Sequence, residues 1–379
     1  MIYCDNAATT FPKPPAVYEA VLDFMKNIGA SPGRSSHSLA IKASTVVFET
    51  REQCARLFNI ADSRRVVFTS NATDALNLAL LGLLGPGDRV AVTSMEHNSV
   101  MRPLRHLAQT SHVDVVTIPC GRDGLIDVDA FERILKTGVK CAVVNHGSNV
   151  CGAIQPIEKL GAVARANKAM FLVDAAQTAG MVPIDVKEMC IDLLAFSGHK
   201  DLYGPQGIGG LFIHERITLR PLTFGGTGSR SDSDEQPDFL PDAFETGTLN
   251  GPGIAGLGAG VSFVTQKGID VLRDHGKDLL KHFFEAVRPV ADKITVFGPG
   301  DPREMLPTVS LIINGLDSGI VARKLNDEFG ICCRMGLHCA PNAHRTLGTF
   351  PQGTLRFSFG FFNTHDNIDA VARAISLCS

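Results

Sequence analysis

The sequence contains no tryptophan and only three tyrosines in 379 residues. Cysteine occurs ten times, yet no Cys-x-x-Cys pair is present. That spacing gives no zinc motif, so no metal site is expected. Lys and Arg number 36 against 39 Asp and Glu, a formal net charge of −3, and basic residues form no run. Nucleic acid and anionic membrane surfaces are therefore not expected as partners. No apolar stretch is long and uninterrupted enough to span a bilayer. Met1-Ile2-Tyr3-Cys4-Asp5 lacks the basic and apolar regions of a signal peptide. A cytoplasmic protein with reduced thiols is the expectation.

What is present suits a globular enzyme. Hydrophobic residues make up 44% and charged residues 20%, ordinary proportions for such a chain. The length exceeds what one small core needs, so a large and a smaller domain are expected. Short β-branched runs alternate with helical stretches. The extended segments are 65–69, 89–93, 113–118, 141–144, 170–173, 191–196 and 210–213. Helices fit 73–84 and 157–167 between them. This alternation predicts an α/β fold with a mostly parallel sheet covered on both faces. From 223 to 248 the composition shifts to Gly, Ser, Asp and Pro, which predicts a long loop. A helical pattern returns at Gly251. The division expected is a large domain over 15–250 and a smaller α+β domain from 1–14 and 251–379, with strands near 309–313 and 356–358.

Two apolar runs end on charge. Phe171-Leu172-Val173 leads to Asp174, with Gln177 just after. Ile191 to Phe196 leads to Ser197-Gly198-His199-Lys200. A carboxylate and an amine at neighbouring strand ends match the needs of pyridoxal 5′-phosphate. The amine forms a Schiff base with its aldehyde, and the carboxylate keeps its ring nitrogen protonated. A buried structural ion pair is the plainer alternative.

Other segments fall at the same sheet edge, where open α/β sheets bind ligands. Ala72 and Thr73, in Ser70-Asn71-Ala72-Thr73-Asp74, follow a strand and open a helix, a place suited to phosphate or to simple capping. His97 follows the strand at 89–93 and has the shape to stack on a planar ring. Asn149 follows the strand at 141–144. Ser197 and His199 flank Lys200 within reach of a phosphate. Cys339 lies in Arg334-Met335-Gly336-Leu337-His338-Cys339-Ala340-Pro341, beside a histidine and near an arginine. Adjacent cations favour a nucleophilic thiolate, while a buried inert cysteine is the alternative. Arg356 suits a bidentate carboxylate clamp, or a plain surface-strand position. Cys332-Cys333 reads as buried small apolar residues.

Taken in order, these segments resemble the cysteine desulfurases of the class V aminotransferase group, which have the fold-type I pyridoxal phosphate architecture. The resemblance runs from Tyr3-Cys4-Asp5-Asn6-Ala7-Ala8-Thr9-Thr10 to Phe361-Phe362-Asn363-Thr364. It implies Lys200 as the Schiff-base lysine and Asp174 as partner of the ring nitrogen. It implies His97 as the stacking residue, with Gln177 and Asn149 near the ring hydroxyl. Ala72, Thr73, Ser197 and His199 match the phosphate site. Thr248, in Phe244-Glu245-Thr246-Gly247-Thr248, matches a phosphate contact given by the other subunit of a homodimer. Arg356 matches the substrate carboxylate clamp, with Asn149 beside it, and Cys339 the cysteine that carries a persulfide. The implied reaction turns L-cysteine into L-alanine and passes sulfur to an acceptor protein, as in iron–sulfur cluster assembly. Arg-x-Gly-x-His-Cys-Ala resembles the second, selenocysteine lyase-like subgroup, with Leu337 where that group has a first histidine. The alternatives are a selenocysteine lyase or other enzyme of this fold, and a non-catalytic sulfur-assembly scaffold.

Overall fold

The structure is a computed structural model that describes residues 1–33 and 36–379. The chain begins with β1 (Ile2–Tyr3), α1 (Pro15–Asp23) and α2 (Ser38–Leu57). The sheet-forming part follows: β2 (Val66–Thr69), α3 (Ala72–Leu83), β3 (Arg89–Thr93), α4 (Asn98–Thr110), β4 (Asp114–Ile118), α5 (Val128–Leu135), β5 (Cys141–Asn145), α6 (Ile157–Ala166), β6 (Met170–Asp174), β7 (Leu193–Ser197) and β8 (Gly209–Ile213). Then come α7 (Gly251–Lys267), α8 (Ile269–Ala286), β9 (Ile294–Phe297), β10 (Thr308–Ile313) and α9 (Ser318–Phe329). The chain closes with β11 (Ile331–Cys332), β12 (Arg334–Gly336), α10 (Pro341–Leu347), β13 (Thr354–Ser358) and α11 (His365–Cys378).

The large sheet has seven strands in the order β2-β8-β7-β6-β5-β3-β4. β4, β3, β5, β6 and β7 run parallel, and β8 runs antiparallel to both its neighbours. The expected mostly parallel α/β sheet is present. Its strands are apolar on both faces because both faces are covered. Phe171 and Val173 of β6 enter one core with Phe196, Leu160 and Ile254. Leu172 enters the other with Leu76, Leu80 and Leu104. The strand expected from 191 begins instead at Leu193. Asp192 does not enter the strand, because its carboxylate accepts the Phe171 N–H at 2.8 Å and pairs with Arg216.

Residues 214–250 contain no regular helix or strand, as the composition predicts. Their far end is pinned by a buried ion pair: Arg51 of α2 grips Glu245 at 2.7 and 2.9 Å. Glu245 also accepts the Phe68 N–H at 2.7 Å. α7 packs against α1 and α2, and its Ile254, Leu257 and Val261 belong to the large-sheet core.

A second sheet, β12-β13-β10-β9, is antiparallel. α8 and α11 cover it, with Leu279, Phe283, Phe357, Phe359 and Ile375 in one core. β1 pairs with β11 in parallel, so the N-terminal residues join this second layer. The two layers meet closely at Gly152. It adopts φ +75°, and a Cβ there would lie 2.5 Å from the Thr308 carbonyl oxygen. Only glycine tolerates both conditions. Ser310 Oγ donates to the Val150 carbonyl at 2.6 Å across the same seam.

Candidate active site

The carboxyl ends of β3, β5, β6 and β7 converge on one cavity. It is lined by Ala72, Thr73, His97, Asn145, Asn149, Asp174, Gln177, Ser197, His199 and Lys200, among others. Thus every predicted cofactor-site residue except Thr248 reaches this cavity. Parallel strands produce that convergence, since each delivers its following loop to the same edge.

Asp174 ends β6 and is buried. Its Oδ1 accepts the Ala176 N–H at 2.9 Å. Burial pushes the carboxyl up from its ordinary range, while that N–H and the nearby Lys200 charge oppose the shift. Lys200 lies three residues beyond β7. Burial pushes its amine down to about 8, against the pull of Asp174. A lysine near 8 holds a useful fraction of free amine at neutral pH, which a nucleophilic or basic lysine requires.

His97 caps α4. Its Nδ1 accepts the Ser99 N–H at 3.1 Å and lies 2.8 Å from Ser99 Oγ. With Nδ1 occupied as an acceptor, the neutral ring carries its proton on Nε2. Burial, with Lys200 and Arg334 adding to it, pushes the imidazole down to about 4, so it is neutral. Ser99 Oγ also meets Thr73 Oγ1 at 2.7 Å, which ties the start of α3 to the start of α4. α3 is capped by Asn71, whose Oδ1 accepts the Asp74 N–H at 3.0 Å.

Gln177 donates from Nε2 to the Ala7 carbonyl at 2.9 Å. The His199 carbonyl accepts from Thr9 Oγ1 at 3.1 Å and Lys13 Nζ at 2.5 Å. The N-terminal segment therefore braces the Lys200 turn, and burial pushes Lys13 down to about 8. Sequence reasoning missed Lys13, Thr10 and Asp5 as parts of the site. They are distant in sequence from Lys200 and Arg356, and although Asp5 and Thr10 lie in the segment that opens the resemblance, nothing local to it gives their partners. It also passed over Glu96, although that residue precedes His97. Glu96 is fully buried, and its Oε1 accepts from Thr93 Oγ1 at 2.6 Å and the Asn145 N–H at 2.9 Å. Its Oε2 has no partner, and burial pushes the carboxyl up to about 8.

Arg356 lies on β13 and is 1% exposed, so it is not a surface-strand residue. Nη1 donates to the Asn149 carbonyl at 2.9 Å and Nη2 to Asp5 Oδ1 at 2.6 Å. Asn149 in turn donates from Nδ2 to the His338 carbonyl at 2.7 Å. Cys339 is exposed, not buried. Arg334 Nη2 lies 3.8 Å from its Sγ. His338 does not supply the expected second cation. It is buried, donates from Nε2 to Thr354 Oγ1 at 3.1 Å, and is pushed far down by burial. It is a neutral imidazole, and Arg334 is the cation beside the thiol.

Thr248 is exposed and lines a separate depression with Ser70, Asp74, Asn77 and Asn250. Among the described residues, no cluster of three His, Cys, Asp or Glu side chains could hold a metal ion. No described helix is long and apolar enough to cross a membrane.

The cavity fits a pyridoxal phosphate. Asn145 Oδ1, Asn149 Oδ1 and His199 Nδ1 are buried without partners and all belong to cavity-lining residues. Each such atom costs about 1–3 kcal/mol unless something pairs with it. Three around one cavity suit a polar ligand. The start of α3 offers free N–H groups for a phosphate, and Asp174 and Lys200 are the carboxylate and amine such a ring needs.

An α/β large domain with this lysine–aspartate cavity and a smaller appended sheet is the architecture of fold-type I enzymes. The model of the family described as Aminotransferase class-V matches residues 2–371. The chain belongs to that family, whose members depend on pyridoxal phosphate. A probable cysteine desulfurase of Methanothermobacter thermautotrophicus is 34% identical, covering 99% of this chain and 94% of that protein. A cysteine desulfurase of Pectobacterium carotovorum is 31% identical, covering 99% and 92%. Among solved structures, apo cysteine desulfurase from Thermococcus onnurineus has a TM-score of 0.93 at 33% identity, covering 100% of this chain and 94% of that one.

Proposed function

We propose that the protein is a pyridoxal 5′-phosphate-dependent cysteine desulfurase. It converts L-cysteine to L-alanine and leaves the sulfur as a persulfide on Cys339. The observation that carries this reading is that the Cys339 loop is fastened to the rim of the Lys200–Asp174 cavity. The Asn98 N–H, next to His97, donates to the Cys339 carbonyl at 2.8 Å. A thiol held there serves a reaction at the cavity, whereas a transaminase has no use for one.

The residues then have distinct tasks. When bound, the cofactor supplies an electron sink for charge formed at the substrate Cα. Asp174 would keep the proton on the ring nitrogen, and His97, a neutral imidazole on the cavity wall, would lie against the ring. Ala72, Thr73, Ser197 and His199, which line the cavity, would hold the phosphate. Lys200, with its amine near 8, takes the Cα proton as a general base. Arg356 grips the substrate carboxylate beside Asn149. The Cys339 thiolate, with Arg334 beside it, attacks the substrate sulfur. A sulfur–sulfur bond forms, the carbon–sulfur bond breaks, and its electron pair stays with carbon, which is protonated to give alanine. The sum is L-cysteine plus thiol to L-alanine plus persulfide.

The persulfide passes to an acceptor protein, such as one of iron–sulfur cluster assembly, in the cytoplasm. Thr248 completes the phosphate site of a second copy in a homodimer. Its exposure, and its position outside its own chain's cavity, support that reading.

The test is to load the protein with cofactor, add L-cysteine, and quantify alanine and Cys339 persulfide. Equal amounts of both in the first turnover are expected, with alanine lost in Cys339→Ser while cofactor still binds. Alanine formation by Cys339→Ser at the wild-type rate would overturn the reading. L-Selenocysteine as the only accepted substrate would favour the lyase instead.

A further inference from the structure

Arg356 is buried, positively charged and only partly paired. Its guanidinium has five N–H donors in a fixed fork. Nη1 is used on the Asn149 carbonyl, Nη2 on Asp5 Oδ1. Nε is buried and has no partner. Such a group suits an incoming carboxylate, which takes two parallel N–H bonds. Yet one carboxylate is already there, and it belongs to the protein.

The backbone that carries Asp5 is held on both sides. The Cys4 N–H donates to the Cys332 carbonyl at 2.8 Å, and the Ser358 N–H donates to the Cys4 carbonyl at 2.8 Å. Ala7 N–H donates to Ser358 Oγ at 2.8 Å. Tyr3 OH donates to the Asp5 carbonyl at 3.1 Å. These bonds run the segment alongside β13, two residues from Arg356. The Asp5 backbone is therefore fixed with its carboxylate in reach of the guanidinium.

We propose that Asp5 is a resident competitor for Arg356 that weakens its grip on the amino-acid carboxylate and so sets substrate and product affinity. This inference rests on the reading of Arg356 as the carboxylate clamp. The reasoning is electrostatic. A charge-assisted bond to a guanidinium is strong, and a second carboxylate arriving beside Asp5 meets a cation already half neutralised. L-Cysteine and L-alanine carry the same carboxylate and amine. A grip on those shared groups binds reactant and product alike, which lowers KM without speeding the chemical step. Weakening it frees the site for the next turnover.

Asp5→Asn separates charge from placement, because its amide oxygen still accepts from Nη2. Its KM for L-cysteine and its Kd for L-alanine should both fall roughly three- to tenfold, with kcat no higher than wild type. Asp5→Glu keeps the charge and should show no such fall on either measure. Asp5→Ser, neutral and smaller, supplies a second neutral variant should the asparagine protein fold poorly. Unchanged or raised KM and Kd in the neutral variants would overturn the proposal, as would an equal fall in Asp5→Glu. Failure of the clamp reading looks different: Arg356→Lys would then leave KM and the L-alanine Kd unchanged.

Discussion

The backbone N–H of Asn98 donates to the carbonyl oxygen of Cys339 at 2.8 Å. One hydrogen bond thus links the first residue of α4, on the large sheet, to the exposed cysteine of the other layer. Asn98 is the N1 residue of its helix, where a backbone N–H has no helical partner and proline is well tolerated. His97 before it is extended, at φ −73° and ψ 158°, as a residue preceding proline must be. Asn98→Pro should therefore fold with stability within about 1 kcal/mol of wild type and delete only this anchor. Iodoacetamide should label Cys339 faster, and alanine formation should slow roughly three- to tenfold, the loss expected of one hydrogen bond. Equal labelling rates and equal activity would show that the anchor has no role.

Lys200 should load cofactor at a lower pH than an ordinary lysine. Its amine titrates near 8 rather than 10.5, and only the free amine is a nucleophile. The rate at which apo protein gains cofactor absorbance should rise with pH and reach half its maximum near 8. Borohydride reduction should fix the cofactor's mass on the Lys200 peptide, and Lys200→Ala should abolish that mass. Fixation on another lysine would move the assignment.

Glu96 should make the fold sensitive to alkali. Its folded carboxyl titrates near 8 against an ordinary 4.5. The folded state thus holds a proton that the unfolded state releases, so stability is lost as pH rises from about 4.5 and levels off above 8. Glu96→Gln removes this titration. Its melting temperature should gain on wild type from pH 5 to pH 8, with a difference on the order of 2–3 kcal/mol near neutrality. A constant difference across that range would mean Glu96 stays ionised.

Thr248→Ala should weaken cofactor binding roughly ten- to a hundredfold, the effect of losing one charge-assisted contact of about 1.5–3 kcal/mol. Mixed dimers give the sharper result. A dimer of one Lys200→Ala chain and one Thr248→Ala chain should contain one site carrying both defects and one carrying neither. Half the wild-type activity with wild-type cofactor affinity is expected; if Thr248 serves its own chain's site, the remaining activity instead shows the weakened cofactor affinity of Thr248→Ala.

Much of this was legible in the sequence because parallel strands are nearly continuous apolar runs whose ends are marked by polar residues. Asp174, Lys200 and His97 each follow such a run, so their meeting at one edge was predictable. Asp5 and Lys13 were not, because their contacts with Arg356 and the His199 carbonyl span hundreds of residues of chain. The protonation of His338 was also hidden. Its identity suggests a cation, but its burial beside Thr354 decides otherwise. We propose the two-domain division with one adjustment. Residues 251–267 read as the start of the small domain, yet α7 packs Ile254, Leu257 and Val261 into the large-sheet core, which favours a boundary near Gly268.

The first ten residues touch both layers in turn. Ile2 and Tyr3 pair with β11, and Asp5 bridges to Ser358. The Ala7 carbonyl then accepts from Gln177, and Thr9 and Thr10 reach the His199 carbonyl. A strand fastened at both ends works like a hinge pin: it permits rotation about its own line but resists separation. Gaping of the two bodies would have to break these bonds together. The tip that carries Cys339 is tied to the same frame, with the Cys339 carbonyl held by the Asn98 N–H at 2.8 Å and the His338 carbonyl by Asn149 Nδ2 at 2.7 Å.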